Sequence, residues 1–348
     1  MSDKSLILES VSSDIVVHGN TYSKAFAQIT ASQGDIFNDG NIIAEDDLTI
    51  EAENLFNNYR GRIQGFGAVD ARLYQDFKNQ SSGINQGEFF ADGPLFLSAN
   101  NIVNHGVLGG GDTVTLAALN TLENTAEYGA PGSVIFSVGD LSLYGQTIVN
   151  RQSDIFGLAN VVMSGDADNS PAHSIRNSSA TLESSGDLSI YTNEFVNHRQ
   201  GLYNFDNTDY CNGGGDFCTV PVTNVALEYG FSFEDTLGDA WLIEELGDFV
   251  ERDWADESDW DNLKPSMRQL YTSLVDRVLP SNRDAQVFVS GDFDIWGGAF
   301  RNEGASISVA ENLTANLTRF ANVSRLAVMP APYSWAEHGN GWLDNFER

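Results

Sequence analysis

The chain has 348 residues, with 18 Lys and Arg against 49 Asp and Glu, a formal net charge of −31. So acidic a composition excludes nucleic acid as a partner, because phosphates select Lys and Arg, and it excludes adhesion to an anionic lipid surface by charge alone. No apolar run reaches the roughly 18 residues that a membrane helix needs, and the opening Met1-Ser-Asp-Lys-Ser lacks the basic and apolar regions of a signal peptide.

The first thirty residues follow no clear period; Ile29, Ala31, Ile36 and Asn38 are expected to form the first clear coil. From there one pattern recurs: apolar-x-apolar, a polar spacer, then apolar-x-Asn. Asp47-Leu-Thr-Ile runs on to Leu55 and Asn57, Asp140-Leu-Ser-Leu to Ile148 and Asn150, and Asp187-Leu-Ser-Ile to Phe195 and Asn197. Asp292-Phe-Asp-Ile runs to Phe300 and Asn302, and Asn312-Leu-Thr-Ala to Phe320 and Asn322. The asparagines fall at 38, 57, 79, 104, 124, 150, 177, 197, 302 and 322, in steps of 19, 22, 25, 20, 26, 27, 20, 105 and 20. The shortest steps cluster near 20, so the longer ones imply loops inserted in single units.

A unit of this length cannot bury its own apolar face and must stack on its neighbour. The apolar-x-apolar pairs have the period of a strand, which points both apolar residues inward and the one between them outward. Two or three short strands per unit, separated by Gly, Asn and Asp turns, describe one coil of a parallel β-helix, and the apolar spacing is not that of a helix. The recurring Asn suits a turn, where it tolerates left-handed backbone, and its amide can bond the equivalent amide one coil away. Asn57, Asn104, Asn150, Asn197, Asn302 and Asn322 are the clearest rungs of this ladder.

Residues 203–285 break the repeat. Between 203 and 284 stand 18 acids and 5 bases, and 12 of those acids fall between 234 and 261 beside Trp241, Trp254 and Trp260. An amphipathic helix is expected over 234–254 and a cleaner one along Met267, Leu270, Tyr271, Leu274 and Val278. Cys211 and Cys218 flank a Gly-rich stretch. A local disulfide, typical of extracytoplasmic settings, is the preferred pairing, with two free thiols or half a metal site as alternatives. The domain plan is then 1–202 as β-helix, 203–285 as an acidic insertion with helices, 286–328 as resumed coils and 329–348 as a cap or linker. An uncapped solenoid end is an aggregation edge, so the chain is expected to be cut from something longer. The insertion's acids and tryptophans either form a solvated helix face packed on the solenoid or anchor a basic partner. The candidate binding residues are Trp241, Asp253, Trp254, Asp256, Glu257 and Trp260.

Asp47-Leu-Thr-Ile-Glu-Ala-Glu-Asn-Leu-Phe-Asn-Asn, followed by Gly61 and Ile63, resembles the filamentous haemagglutinin repeat of two-partner-secreted exoproteins. Asn38-Asp-Gly-Asn-Ile42, Asn104-His-Gly-Val-Leu108 and Asn302-Glu-Gly-Ala-Ser-Ile307 match its Asn-x-Gly-x-Ile turn. The resemblance covers residues 26–202 and 286–328. It implies an all-β, right-handed parallel β-helix, secretion through an outer-membrane partner, and display at the bacterial cell surface as a monomeric filament segment. Within that family the chain is most similar to the CdiA effectors of contact-dependent growth inhibition, which carry a receptor-binding region midway along the filament. That likeness implies recognition of an outer-membrane protein on a neighbouring bacterium through its extracellular loops. No cofactor or metal is expected.

Chemical motifs offer no competing reading. Gly-x-Ser-x-Gly, His-Glu-x-x-His and P-loop patterns do not occur in the sequence. His105 and His198 each follow a ladder asparagine and read as turn residues. Parallel β-helices also carry polysaccharide-active enzymes, whose carboxylates converge on one face, but Asp47, Asp140, Asp187 and Asp292 hold one repeated place before a strand. Asn312, Asn316 and Asn322 fit a glycosylation sequon. The alternatives to a receptor-binding segment are a structural stalk or general adhesin and, third, such an enzyme.

Overall fold

A computed structural model of the chain describes residues 4–126, 131–199, 202–203, 284–323 and 326–327. The helices expected within 234–254 and along Met267 to Val278 lie outside these residues, as does the pair Cys211 and Cys218. Among the described residues every regular element is a β-strand, and no helix is long and apolar enough to cross a membrane. The chain divides into two compact units, one of Met1–His198 with Asp284–Asn322 and the other of Arg199–Arg283 with Val323–Arg348. In the second unit the described strands Leu202–Tyr203 and Leu326–Ala327 pair antiparallel.

The first unit is built of parallel sheets, in the manner of a β-helix. Each coil lays down three strand segments in turn. Leu48–Ala52, Leu55–Asn57 and Arg62–Gly65 make one coil. Val69–Leu73, Asp76–Asn79 and Glu88–Ala91 make the next and pair with them parallel and in register. Where the first two segments run on without a break they become one long strand, as in Leu95–Asn104, Val114–Thr125 and Leu188–His198. The third segments alone form a sheet of ten strands.

Alternation decides the core. In Ala27–Ala31 the residues Ala27, Ile29 and Ala31 are buried and Gln28 and Thr30 half-buried. Parallel register repeats this from coil to coil through the interior of the stack, so Ile29 stands over Ile50 and Ile50 over Ala71, and Leu97 stands over Leu116. Fully burying one such side chain is worth about 1.5–3 kcal/mol, and a single coil cannot complete it without the coils above and below. Among the largest buried side chains, Phe77 and Phe89 meet edge-on at 5.1 Å in an early coil, and Phe195, Phe293 and Phe300 gather late in the stack. Phe195 and Phe300 stack at 5.0 Å, and Phe293 meets Phe195 edge-on at 6.5 Å.

Two expectations change. A complete coil precedes Ile29: Leu6–Ser10, Ile15–Val17 and Asn20–Ser23 pair in register with the coil that follows. Sequence hides it because Val17 stands where later coils carry the asparagine and because its outward residues Ile7, Val16 and Tyr22 are themselves apolar and exposed. The ladder asparagines, in turn, do not have left-handed backbone; the positive-φ residues other than Gly are Gln152, Asn169 and Ser179 among the described residues. Asn38 and Asn57 close their strands with side chains pointing into the core. The side-chain amide, not the backbone, is what calls for Asn there.

Candidate functional site

The turn between the second and third segments of each coil is where the chain departs most often from the repeat. Its inner wall is the asparagine column. Asn38 Nδ2 donates to Asn57 Oδ1 at 2.8 Å, Asn57 to Asn79 at 2.8 Å, Asn79 to Asn104 at 2.9 Å and Asn104 to Asn124 at 2.8 Å. The chain of amides continues through Asn150 and Asn177 to Asn197, each bond 2.9 Å. Asn197 donates to Asn302, and Asn302 to Asn322, at 2.8 Å. Most of these amides spend their second N–H on a third-segment carbonyl of the following coil, as Asn150 does on Thr181 at 2.8 Å. A buried amide left unpaired costs about 1–3 kcal/mol; here Asn57, Asn79, Asn104, Asn124 and Asn197 are fully buried and bonded to neighbours on both sides, while Asn38, the first rung, bonds Asn57 and accepts from the Gly40 N–H.

The ladder dictates the glycine two residues on from Asn38 and Asn104. A Cβ on Gly40 would lie 2.1 Å from the Gly19 carbonyl oxygen, and one on Gly106 2.2 Å from that of Gly87. Coils can therefore approach at this corner only through bare backbone, which is the physical content of the Asn-x-Gly turn.

Extra chain is spliced in at the same corner. The step from Asn79 to Asn104 holds an antiparallel hairpin, Ser81–Ser82 with Asn85–Gln86, turned at Gly83 with φ 59°; its tip residue Ile84 is 87% exposed. Gln86 Nε2 reaches the Pro131 and Gly132 carbonyls at 3.4 and 3.2 Å, tying the hairpin to the longer turn two coils on. Tyr59 and Arg60 sit on this corner one coil earlier, the guanidinium 5.3 Å from the ring centroid.

The largest departure begins after His198 and ends at Asp284, and the coil stack does not register it. Leu188–His198 pairs with Phe293–Glu303 from Leu188↔Phe293 to His198↔Glu303, and Gln286–Val289 pairs in register with Thr181–Ser184. Asn177 Nδ2 reaches Gln286 O at 3.0 Å across 109 residues of sequence. Of the residues expected to act, the structure brings Asn57, Asn104, Asn150, Asn197, Asn302 and Asn322 into one column. Trp241, Asp253, Trp254, Asp256, Glu257 and Trp260 lie outside the described residues.

The repeated aspartates have a different employment. Asp47 Oδ1 accepts the Ala68 N–H at 2.8 Å, Asp187 Oδ1 that of Asp292 at 2.9 Å, and Asp292 Oδ1 that of Asn312 at 3.0 Å. Each carboxylate holds the backbone of the next coil at an exposed turn. Asp166, in the loop of residues 165–171, is held below the usual carboxylate range by hydrogen bonds from the side chain and backbone N–H of Ser170, then from that of Asp168. No group of three or more His, Cys, Asp or Glu able to hold a metal ion occurs among the described residues.

Coils and corner together define a fold that is all-β among the described residues, of stacked parallel strands and β-helix-like, with 85 residues, Arg199–Arg283, interposed at one turn. The chain is similar to the Deoxyribonuclease CdiA of Dickeya dadantii (strain 3937), 30% identical over 189 residues that make up 51% of this chain and 5% of that protein. The chain thus spans a small fraction of the length of the curated relative it matches. No family model matches the chain, and no solved structure does.

Sequence reasoning passed over Ile84 and Gln86. The signal was present: a step of 25 where 20 is ordinary marks an insertion, and Gly-Ile between the polar pairs Ser81-Ser82 and Asn85-Gln86 marks its turn.

Proposed function

We propose that the chain is the receptor-binding segment of a cell-surface exoprotein of contact-dependent growth inhibition, and that residues 199–283 recognise an outer-membrane protein on a neighbouring bacterium. In this reading the coils form a right-handed parallel β-helix of filamentous haemagglutinin repeats, secreted by a two-partner system, and serve as support. Likeness to the Dickeya CdiA supports the surface exoprotein; the deoxyribonuclease of that protein's name describes a whole of which this chain matches a twentieth. The observation that carries the binding role is the unbroken ladder from Asn197 to Asn302 at 2.8 Å. A fold that closes in register around 85 residues does not need them to continue its ladder, and that supports a role in recognition. Their acids and tryptophans suit a partner with basic loops, the tryptophans as anchors and the acids as steering charge.

Deletion tests this. With 199–283 replaced by a short Gly-Ser turn, the remaining coils are expected to keep their β circular dichroism and cooperative melting while binding to target cells is lost. Trp254→Ala with Trp260→Ala in the intact chain is expected to weaken binding about tenfold or more. Binding that survives the deletion would leave the chain a stalk and overturn the recognition role.

A further inference from the structure

The outward side of the third-segment sheet carries an apolar face that no coil-to-coil contact requires. Val107–Gly110, Val134–Ser137 and Asp154–Gly157 are adjacent, parallel strands. Their inward residues Leu108, Ile135 and Ile155 are fully buried, so the residues on either side of these point out: Val107, Val134, Phe136 and Phe156, with Gly109 bare between them. Val138 and Leu158 extend the same side, fixed by bonds from their N–H groups to the Gly110 and Ser137 carbonyls at 3.1 and 2.9 Å. Phe136 has a fold-internal duty, since its ring covers Gly109; a Cβ there would meet Phe136 Cδ1 at 2.5 Å. Val138 and Leu158 have none and stay 49% and 59% exposed. Single exposed apolar residues need no explanation, but a contiguous group on a flat sheet does.

Charge says what covers it. Between Lys78 and Arg151 the sequence has no Lys or Arg and six acids. Register sets four carboxylates around the apolar group: Asp154 beside Val134, Asp112 beside Gly139, Asp140 at the start of the following coil, and Asp92, whose coil lies one step before. A second copy would meet this rim with an identical one, and like charges set against each other oppose association. We infer that this face docks a polypeptide of another protein that presents aliphatic or aromatic side chains flanked by Lys or Arg. The inference does not rest on the role proposed for residues 199–283.

The test uses the full chain and three labelled synthetic peptides: one with a Leu-Phe-Leu centre between Lys pairs, one with Glu in place of Lys, and one with Ser in place of the apolar centre. Polarisation is read on the native chain and on V138Q/L158Q, both positions already half exposed, with circular dichroism as the check on folding. The Lys-flanked apolar peptide is expected to bind the native chain about tenfold tighter than either twin, to weaken as salt rises from about 50 to about 300 mM, and to lose about tenfold on the double variant. Binding equal to either twin overturns the inference. So does binding that V138Q/L158Q leaves unchanged, which would belong elsewhere, the acidic stretch 234–261 included. Sedimentation showing native self-association abolished by V138Q/L158Q would make a second copy the occupant and overturn the charge argument.

Discussion

Two columns of short polar side chains run through the same coils and differ in kind. At the inner corner every rung from Asn38 to Asn322 is an amide bonded to an amide. At the outer corner the column through Asp140, Asn160, Asp187, Asp292 and Asn312 mixes carboxylates with amides and bonds side chain to backbone. Burial explains the difference. An amide both donates and accepts, so a neutral column can satisfy itself out of water, whereas carboxylates one coil apart would stack like charges where nothing screens them. Outside, water screens that repulsion, and an acceptor for one backbone N–H is all the turn needs. Asp and Asn are then interchangeable, and the sequence interchanges them.

The comparison is sharpest when one residue type is forced into the other's place. Asn124→Asp puts an ionised group between Asn104 and Asn150 and removes the donor to Asn150; it is expected to cost about 3–5 kcal/mol at neutral pH, with part of the loss recovered on acidification. Asn124→Ala, which leaves its neighbours unpaired without adding charge, is expected to cost about 2–4 kcal/mol. Guanidinium titrations of the two variants at neutral and acid pH measure both values; an Asp variant as stable as the Ala variant would break the electrostatic account of the inner column. At the outer corner Asp187→Ala, which frees the N–H of Asp292, is expected to cost about 1 kcal/mol and Asp187→Asn less than about 0.5 kcal/mol. Equal losses from these two would mean that charge, not the acceptor, matters there.

The smallest effect concerns Asp166. Its folded-state pKa is lowered by the bonds from Ser170 and Asp168, so the order it lends its loop is present above the unfolded value and lost as pH falls through the folded one. An NMR titration is expected to place its midpoint below that of an ordinary aspartate, and a midpoint at or above the ordinary one would show the loop open in solution.

Most of the coil stack is legible in the sequence because two of its three segments announce themselves. Leu48 and Ile50 alternate with Thr49, and Leu55 precedes Asn57 by two, so period and ladder are both on view. The third segment is mute. Its inward positions pair one large residue with a small one, Ile63 with Gly65, Leu108 with Gly110 and Ile155 with Gly157, because the third sheet's small residues sit against the first segment of the next coil. A Cβ on Gly157 would meet Val161 Cγ2 at 2.3 Å. With one inward large residue beside an outward Phe136 or Phe156, no alternation shows, and the apolar face that these create goes unseen. The first coil is hidden for a related reason, outward apolar residues and no asparagine. Trp241, Trp254 and Trp260 stand as candidates on composition alone, since nothing in a non-repeating stretch fixes which side chains face out.

The continuity of Leu188–His198 with Phe293–Glu303 bears on how the molecule comes into being. A solenoid grows by templating, each finished turn offering its edge to the chain that follows. After Asn197 the next template partner lies 105 residues downstream. Closing so long a span costs little more free energy than closing a short one, because the penalty rises only with the logarithm of length, but the wait is set by how fast that length emerges. Growth therefore halts once, with Phe195 and Asn197 uncovered on their far side until Phe300 and Asn302 arrive to cover them.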